Sequence, residues 1–441
     1  MIHTFSKYLW AAACGILIFC GKPLPASPPI TQSVMVVYTA DGNSVLTNCG
    51  CSTENLGGIE RRARLFQQIR DAGQPAVFVD SGDFLSMASI WERDSLVVDI
   101  LERLAYDAIT LGDQDFLNGP DFFKSILPPD RLPLVATNVT IQQVAPLAAS
   151  RIVQTGELSI GIVSAVNARS FFFVEEIIER YWSLEDHIAA VTREIDNLQD
   201  EVDLIICLSH LGMQKDRELA DACPDLDIIL GAHSKDFTTE PIVVGNTYIV
   251  QPGAYGEYVG TLQVSVDDQG RITDALNTLM PLNESVEAEP VTMAMIQQFQ
   301  EDQQNGNGAV DVYVAPIPPQ YLVAPAAQCQ PCHAEEATHW QTTKHSHAID
   351  ALTQDIDRRN PECLSCHTSG FGRSDGYTRE FAETALAMVS CVDCHFTPTE
   401  HLLNPAGVNV AEISSYTCTR CHNEMNSPDF EYLTYRLQID H

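Results

Sequence analysis

One five-residue spelling constrains this chain more than any other: Cys-x-x-Cys-His. It occurs as Cys329-Gln330-Pro331-Cys332-His333, Cys363-Leu364-Ser365-Cys366-His367, Cys391-Val392-Asp393-Cys394-His395 and Cys418-Thr419-Arg420-Cys421-His422. Two cysteines at this spacing can each add through sulfur to a vinyl group of a haem, and the adjacent histidine reaches the iron from one face. With 14 Cys and 13 His in 441 residues, chance supplies about 0.01 such matches. A zinc ribbon or a disulfide framework would use the paired cysteines but has no need of a histidine after each pair. The expectation is four covalently bound c-type haems, with His333, His367, His395 and His422 as proximal iron ligands. From Cys329 to the end of the chain this leaves under about 30 residues per haem, too few for an ordinary apolar core. The porphyrins themselves must form the core, wrapped by short helices and loops, and electrons should hop along the array.

The formal net charge of −34, from 59 acidic and 25 basic residues, argues against nucleic acid or an anionic membrane surface as partner and fits a cationic redox protein. The first residues read as an export signal. Lys7 is followed by an apolar stretch over 9–21, shorter than a membrane span, and Leu24-Pro25-Ala26-Ser27 offers cleavage after Ala26. No later run is long enough to cross a bilayer. An exported, periplasmic location in a bacterium also suits thioether-bound haem. Cys20 follows Leu17-Ile18-Phe19, but Phe19 is too bulky for a lipoprotein box.

Between residues 33 and 282 the pattern is α/β. Short β-branched runs at 34–38, 76–80, 108–111, 134–137, 160–163 and 203–208 read as strands buried on both faces, and 58–70, 94–106 and 183–198 carry helical periodicity. The last of these is opened by Ser183 with Asp186 three residues on. Polar residues gather after successive strands: Asp41, then Asp80-Ser81-Gly82-Asp83, Gly112-Asp113-Gln114-Asp115, Ser209-His210 and Gly231-Ala232-His233-Ser234-Lys235. Strand ends are where such sheets bind ligands, and carboxylates with imidazoles point to a metal site. Residues 283–325, with a helix at 290–303 and then Asn-Gly and Pro-rich stretches, read as a linker ahead of a haem domain over 326–441. Cys49 and Cys51 form a Cys-x-Cys pair too close for a relaxed mutual disulfide, Cys207 reads as a buried thiol, and Cys223 has no evident partner.

The order of these strand-end residues, with Gly57-Gly58-Ile59-Glu60-Arg61-Arg62-Ala63, Asn138 and Gln251-Pro252-Gly253-Ala254-Tyr255-Gly256, resembles the calcineurin-like metallophosphoesterases of the periplasmic 5'-nucleotidase branch. The resemblance implies a four-layer α/β sandwich. It also implies a two-metal site in which Asp83 bridges, Asp113, His210 and His233 complete one half, and Asp41 with two histidines completes the other. The chain departs from that pattern in the second half: Asn43 and Lys235 stand where histidines are expected, and Gln114 replaces the family's catalytic histidine, leaving no catalytic residue assigned. An ammonium at Lys235 can neutralise Asp41 and Asp83 without a cation. The expectation is one divalent ion, manganese, zinc or iron, or none.

In the C-terminal part, Trp340-Gln341-Thr342-Thr343-Lys344-His345-Ser346-His347, the segments 363–370 and 389–395, and His401 resemble the cytochrome c-554 type of multihaem cytochrome. That resemblance implies mainly bis-histidine ligation, with His345, His347 and His401 as distal candidates and His339 next. Electron transfer by an exported tetrahaem protein, with a redox partner or a cytochrome assembly, is the leading functional expectation. A metal-dependent phosphoesterase with an electron-transfer tail, and a haem oxidoreductase acting on a small nitrogen or sulfur compound, are the alternatives.

Overall fold

The computed structural model describes residues 32–47, 56–85, 91–116, 118–166, 182–304, 317, 321–352, 361–371, 373, 375–377, 385–408, 410, 413, 417–418, 421–422, 427 and 430–439. The export signal, Cys20, Cys49 and Cys51, and the linker stretch 305–316 lie outside them.

The strands are β1 (Gln32–Thr39), β2 (Ala76–Asp80), β3 (Ala108–Thr110), β4 (Leu134–Val135), β5 (Val139–Ile141), β6 (Arg151–Thr155), β7 (Leu158–Val166), β8 (Trp182–Leu184), β9 (Leu204–His210), β10 (Ile228–Gly231), β11 (Ile242–Val244), β12 (Thr247–Val250), β13 (Tyr258–Val266) and β14 (Ile272–Pro281). Among the described residues they form two six-stranded sheets, ordered β14-β13-β1-β2-β3-β4 and β11-β12-β10-β9-β7-β6, with β5 and β8 paired apart. β1 through β4 run parallel, as do β7, β9, β10 and β12. Each strand end of one direction therefore delivers its following loop to the same edge of its sheet.

Both faces of β1 are buried, and its alternation shows against what. Val34, Val36 and Tyr38 join Ile160, Ile162, Leu204, Ile206, Leu208 and Ile228 in a core between the two sheets. Val37 instead packs into a core with the helices α1 (Ile59–Asp71) and α2 (Trp91–Leu104), through Phe66, Val98 and Leu101. On the second sheet, Val163, Ile205 and Ile229 meet α4 (His187–Leu198) and α5 (Met213–Ala222), while the short α3 (Gly119–Ser125) sits with the first core. The layers run helix, sheet, sheet, helix, and apolar burial on this scale supplies the main favourable term in folding.

The structure departs from the sequence reading at 183–198. Ser183 pairs with Thr140 in the β5–β8 ribbon, and the helix begins after Asp186, whose carboxylate accepts from the Ala189 backbone N–H at 3.0 Å. The capping group is the aspartate rather than the serine; Trp182, buried against Phe116 and Phe123, holds the preceding segment extended. The helix α6 (Pro290–Gln304) is also more than linker. Ile296 is fully buried in the core of α1 and α2, with Met295 and Phe299 packed beside it.

The C-terminal part is irregular, with α7 (Ala334–Trp340), α8 (Pro361–His367), α9 (Cys391–Cys394) and α10 (Tyr432–Arg436) joined by turns. Its apolar clusters are small, for example Leu352, Leu364, Phe371 and Tyr377. Residues near 321–324 belong to it: Leu322 N–H donates to Thr397 O at 2.8 Å, and Ser390 Oγ donates to Ala324 O at 2.7 Å. Among the described residues no helix is long and apolar enough to cross a membrane.

Candidate metal centre and haem-binding tail

The carboxyl ends of β1, β2 and β3 from one sheet meet those of β9 and β10 from the other. Asp41 follows β1, Asp83 follows β2 and Asp113 follows β3; His210 ends β9, and His233 lies two residues past β10. Ser81 ties the two halves together, its Oγ donating to Leu230 O at 2.8 Å. The loops approach so closely that Gly82 and Gly112 have no room for a side chain. A Cβ on Gly112 would overlap the Asp83 carboxylate and the His210 ring, and Gly82 sits at φ 91° against the Gly112 backbone.

Asp41, Asn43, Ser44, Asp83, His233, Lys235 and Tyr255 all adopt positive φ, between 48° and 71°. Each such non-glycine residue costs on the order of 1 kcal/mol, and this strain is concentrated in the loops of one site. Asp115 holds two of those loops in place. Its Oδ2 accepts from the Asp83 and Gly112 backbone N–H groups at 2.8 Å each, and its Oδ1 accepts from Leu85 N–H at 2.8 Å. Asp80 is likewise a support rather than a ligand. It accepts from Gly82 N–H at 2.9 Å and from Thr39 Oγ at 2.5 Å, with the buried Arg62 guanidinium 4.0 Å away.

Five donors converge: Asp113, His210 and His233 form one group, and Asp41, Asp83 and His210 another, the ligand atoms of each within 4.8 Å of one another. The environment of His210 tests whether they suit a cation. Its Nδ1 lies 2.9 Å from the Ser81 carbonyl, which can only accept, so Nδ1 carries the hydrogen. Nε2 then faces Asp113 Oδ1 at 3.1 Å and Asp83 Oδ2 at 3.3 Å. A lone pair aimed at two carboxylate oxygens in a fully buried site is repulsive, so a positive charge belongs there, a proton or a metal ion. Burial acts to lower the His210 pKa, but the Asp83 charge and the bonds to Asp113 and Asp83 outweigh it and raise it well above the usual imidazole range. Asp113 is held well below the usual carboxylate range: burial opposes this, and hydrogen bonds from His210 and His233 prevail, His233 Nδ1 lying 3.0 Å from Asp113 Oδ1. The residues fit a bound metal, which would supply Lewis-acid charge to an anionic ligand.

The other side of the site is engaged differently. The two Asp41 oxygens lie 3.0 and 3.3 Å from the His233 backbone N–H. Burial, reinforced by Asp83, pushes its pKa up to about 7 against the pull of His210, Lys235 and His233. Asn43 turns its amide back to Asp41 O at 2.6 Å. Gln114 engages both oxygens of Asp83, through its backbone N–H and its Nε2, each at 2.9 Å. Lys235 Nζ donates to Tyr255 Oη at 2.5 Å and lies 4.5 Å from that ring's centre.

Some supporting residues escaped the sequence reading. Asp216, fully buried on α5, accepts from Ser209 Oγ and from Gln251 Nε2 at 2.9 Å, and Gln251 Oε1 accepts from Ser234 Oγ at 3.1 Å. An acidic residue on the buried stripe of an amphipathic helix was the available signal. Asn138, singled out by pattern, bonds to Val166, the strand partner of His210. Its amide bonds Val166 O at 2.8 Å and Val166 N at 3.0 Å, joining β7 to the β5 segment.

In the tail, none of the described cysteines is in a disulfide, including all eight of the Cys-x-x-Cys-His repeats as well as Cys207 and Cys223. His367 Nδ1 donates to Ala348 O at 2.6 Å, and His422 Nδ1 lies 2.9 Å from Ser427 Oγ. His401 Nδ1 donates to Val408 O at 3.1 Å. Nδ1 anchorage leaves Nε2 for iron and fixes the ring, as metal-binding histidines require. The residues therefore fit haem. The thiol of Cys391 lies beside that of Cys329 and lowers its pKa to about 7, bringing the first and third repeats side by side. His345 is held by Val389 N–H donating to its carbonyl at 3.1 Å, and its ring lies 5.9 Å from that of His422. His347 points outward beside Asp350, its side chain 68% exposed, and His339 lies on α7.

The two parts of the chain thus present two architectures, a phosphoesterase-type sandwich and a small irregular domain carrying the Cys-x-x-Cys-His repeats. Residues 328–396 match the family model of cytochrome c554 and c-prime. The N-terminal region is similar to 5'-nucleotidases, among them the snake venom 5'-nucleotidase of Naja atra, 26% identical over 287 residues that cover 58% of this chain and 53% of the relative. It has the calcineurin-like phosphoesterase fold. The 5'-nucleotidase precursor of Thermus thermophilus superposes with a TM-score of 0.55 at 21% identity, over 62% of this chain and 59% of that one. A calcineurin-like phosphoesterase of Bacillus subtilis gives 0.54 at 19% identity, over 62% of this chain and 98% of its own. The chain spans about half the length of the curated relatives it matches.

Proposed function

We propose that this protein is an exported, periplasmic tetrahaem c-type cytochrome that carries electrons, and that its phosphoesterase-type domain serves it as a docking or sensing module with a reduced metal site. The observation that carries the reading is the fourfold Cys-x-x-Cys-His repeat, with ring-anchored histidines in the same small domain. Haem supplies the one-electron chemistry when bound. The chain's part is to attach it through the eight repeat cysteines, to orient His333, His367, His395 and His422, and to offer His345, His347, His401 or His339 on the far face. The approach of His345 to His422 supports assigning it to the fourth haem. Bis-histidine haems sit lower in potential than Met/His ones, and the acidic surface favours a cationic partner.

Asn43, Lys235 and Gln114 favour this reading over hydrolysis. The convergence of Asp41, Asp83, Asp113, His210 and His233 supports the second reading, a metal-dependent phosphoesterase. Phosphate release from a nucleotide panel by purified protein, abolished by Asp83→Ala, would establish hydrolysis. No release, together with reversible reduction of the haems by a small-molecule donor, is the outcome expected.

A further inference from the structure

His367 of the second repeat and His422 of the fourth are both anchored through Nδ1, but to acceptors of different kinds. His367 Nδ1 donates to the Ala348 backbone carbonyl at 2.6 Å, whereas His422 Nδ1 lies 2.9 Å from the Ser427 hydroxyl. An imidazole that gives Nε2 to iron carries its hydrogen on Nδ1, so Ser427 Oγ must accept it. A peptide carbonyl oxygen holds more negative charge than a hydroxyl oxygen and makes the stronger bond. A strong Nδ1–H bond makes the ring a more basic ligand and favours ferric iron; a weak one leaves the ring a poorer donor and favours ferrous iron. The surroundings of His422 act in the same direction. Its ring stacks on Phe430 with centroids 4.8 Å apart and planes at 11°, and Tyr435 meets it edge-on at 6.1 Å while packing on Phe430 at 4.9 Å. Arg436 lies close enough to Cys418 for its charge to oppose the burial that raises the thiol pKa, and a cation there also favours the reduced state. Apolar side chains gather at the second repeat too, where Leu364 packs with Leu352 and Phe371. Packing therefore does not separate the two repeats, and the Nδ1 acceptors must.

We propose that Ser427 is a tuning residue: by holding the His422 ring through a hydroxyl instead of a carbonyl, it sets the haem of the fourth repeat at a higher potential than the haem of the second, so that electrons within the tail run from the second repeat toward the fourth. This rests on the electron-carrier reading and adds a direction to it. Ser427 acts through His422 and touches no iron. Its hydroxyl is also the one part of this anchor that a point substitution can change, since the acceptor for His367 is main chain.

The test titrates the full-length haem-loaded protein and its Ser427 variants electrochemically, with EPR following the individual haems. Ser427→Asp offers the Nδ1 hydrogen an anionic oxygen. It should raise the ferric-to-ferrous ratio of one haem at fixed electrode potential at least tenfold, a lowering of about 59 mV. Ser427→Ala removes the acceptor and should raise the potential of that same haem, while Ser427→Thr keeps the hydroxyl and should leave it in place. Both shifts should vanish in a chain that lacks the fourth haem through Cys418→Ala with Cys421→Ala. That chain should also lose a wave at higher potential than the wave lost when the second haem is removed by Cys363→Ala with Cys366→Ala. No shift in the aspartate and alanine variants, shifts of one sign in both, a shift that survives loss of the fourth haem, or the reverse order of lost waves would overturn the proposal. Four haems that cycle reversibly in the unaltered protein leave the electron-carrier reading standing in those cases, whereas missing or inert haems there would strike that reading and the proposal with it.

Discussion

Asp115 offers the clearest way to separate the scaffold of the metal centre from its ligands, because it touches no donor side chain yet bonds three backbone N–H groups in the loops that carry Asp83 and Asp113. It is fully buried, so water does not replace a lost bond without cost. Asp115→Asn can keep an oxygen toward Asp83 and Gly112 but must turn its NH2 toward Leu85 N–H. One buried donor left unsatisfied costs about 1–3 kcal/mol. Asp115→Ala orphans all three, for about 3–6 kcal/mol once some water enters the vacated space. At about 2–4 °C per kcal/mol for a domain of this size, the asparagine variant should melt about 2–12 °C lower and the alanine variant about 6–24 °C lower. Calorimetry would follow the N-terminal transition, with Soret absorbance reporting the haem part separately. Equal destabilisation by the two substitutions, or less than about 1 kcal/mol by either, would refute the assignment of three bonds to this carboxylate.

Three further outcomes are expected. Burial pushes the Asp216 pKa from 3.8 up to about 7, with bonds from Ser209 and Gln251 opposing. The native state then holds that proton more tightly than the unfolded chain, so its contribution makes stability fall as pH rises from about 4 to about 7 and level off above. In Asp216→Asn the slope of unfolding free energy over that window should flatten, and an unchanged slope would contradict the placement. Gly112→Ala drives a Cβ into the Asp83 carboxylate and the His210 ring. Metal affinity read by calorimetric titration should drop at least about tenfold, given overpacking costs of about 1–3 kcal/mol; unchanged affinity would mean that the two loops have slack. His345→Ala should turn one low-spin haem high-spin in EPR while the haem count stays the same. The change should be absent in a chain whose fourth haem has been removed by Cys418→Ala and Cys421→Ala, whereas an effect that persists there would assign His345 to another haem.

Much of the candidate site could be read from sequence because strand ends announce themselves: a β-branched run that stops at a carboxylate or histidine places that residue at the sheet edge. Asp41, Asp83, Asp113, His210 and His233 were legible in this way and come together in space. Less could be read of the layering. A strand buried on both faces looks the same whether a helix or a second sheet covers it, so the second sheet against β1 came from family resemblance rather than periodicity. The helix start at Asp186 was missed because Ser183 and Asp186 both satisfy a cap pattern, and only the packing of Trp182 decides between them. Asp216, and the supporting role of Asp115, were hidden for another reason. Most of their partners, such as the backbone of Asp83 and Leu85 or the Gln251 amide, are distant in sequence, and no local spacing records those bonds.

The central claim is that this chain carries four working haems, and the measurement that meets it most directly is a haem count per chain joined to an EPR-monitored redox titration of the purified protein. Four covalently retained haems, each reduced and reoxidised reversibly and mostly low-spin, is the result predicted. Fewer than four after maturation in a haem-attaching host, or haems that cannot be cycled, would contradict it.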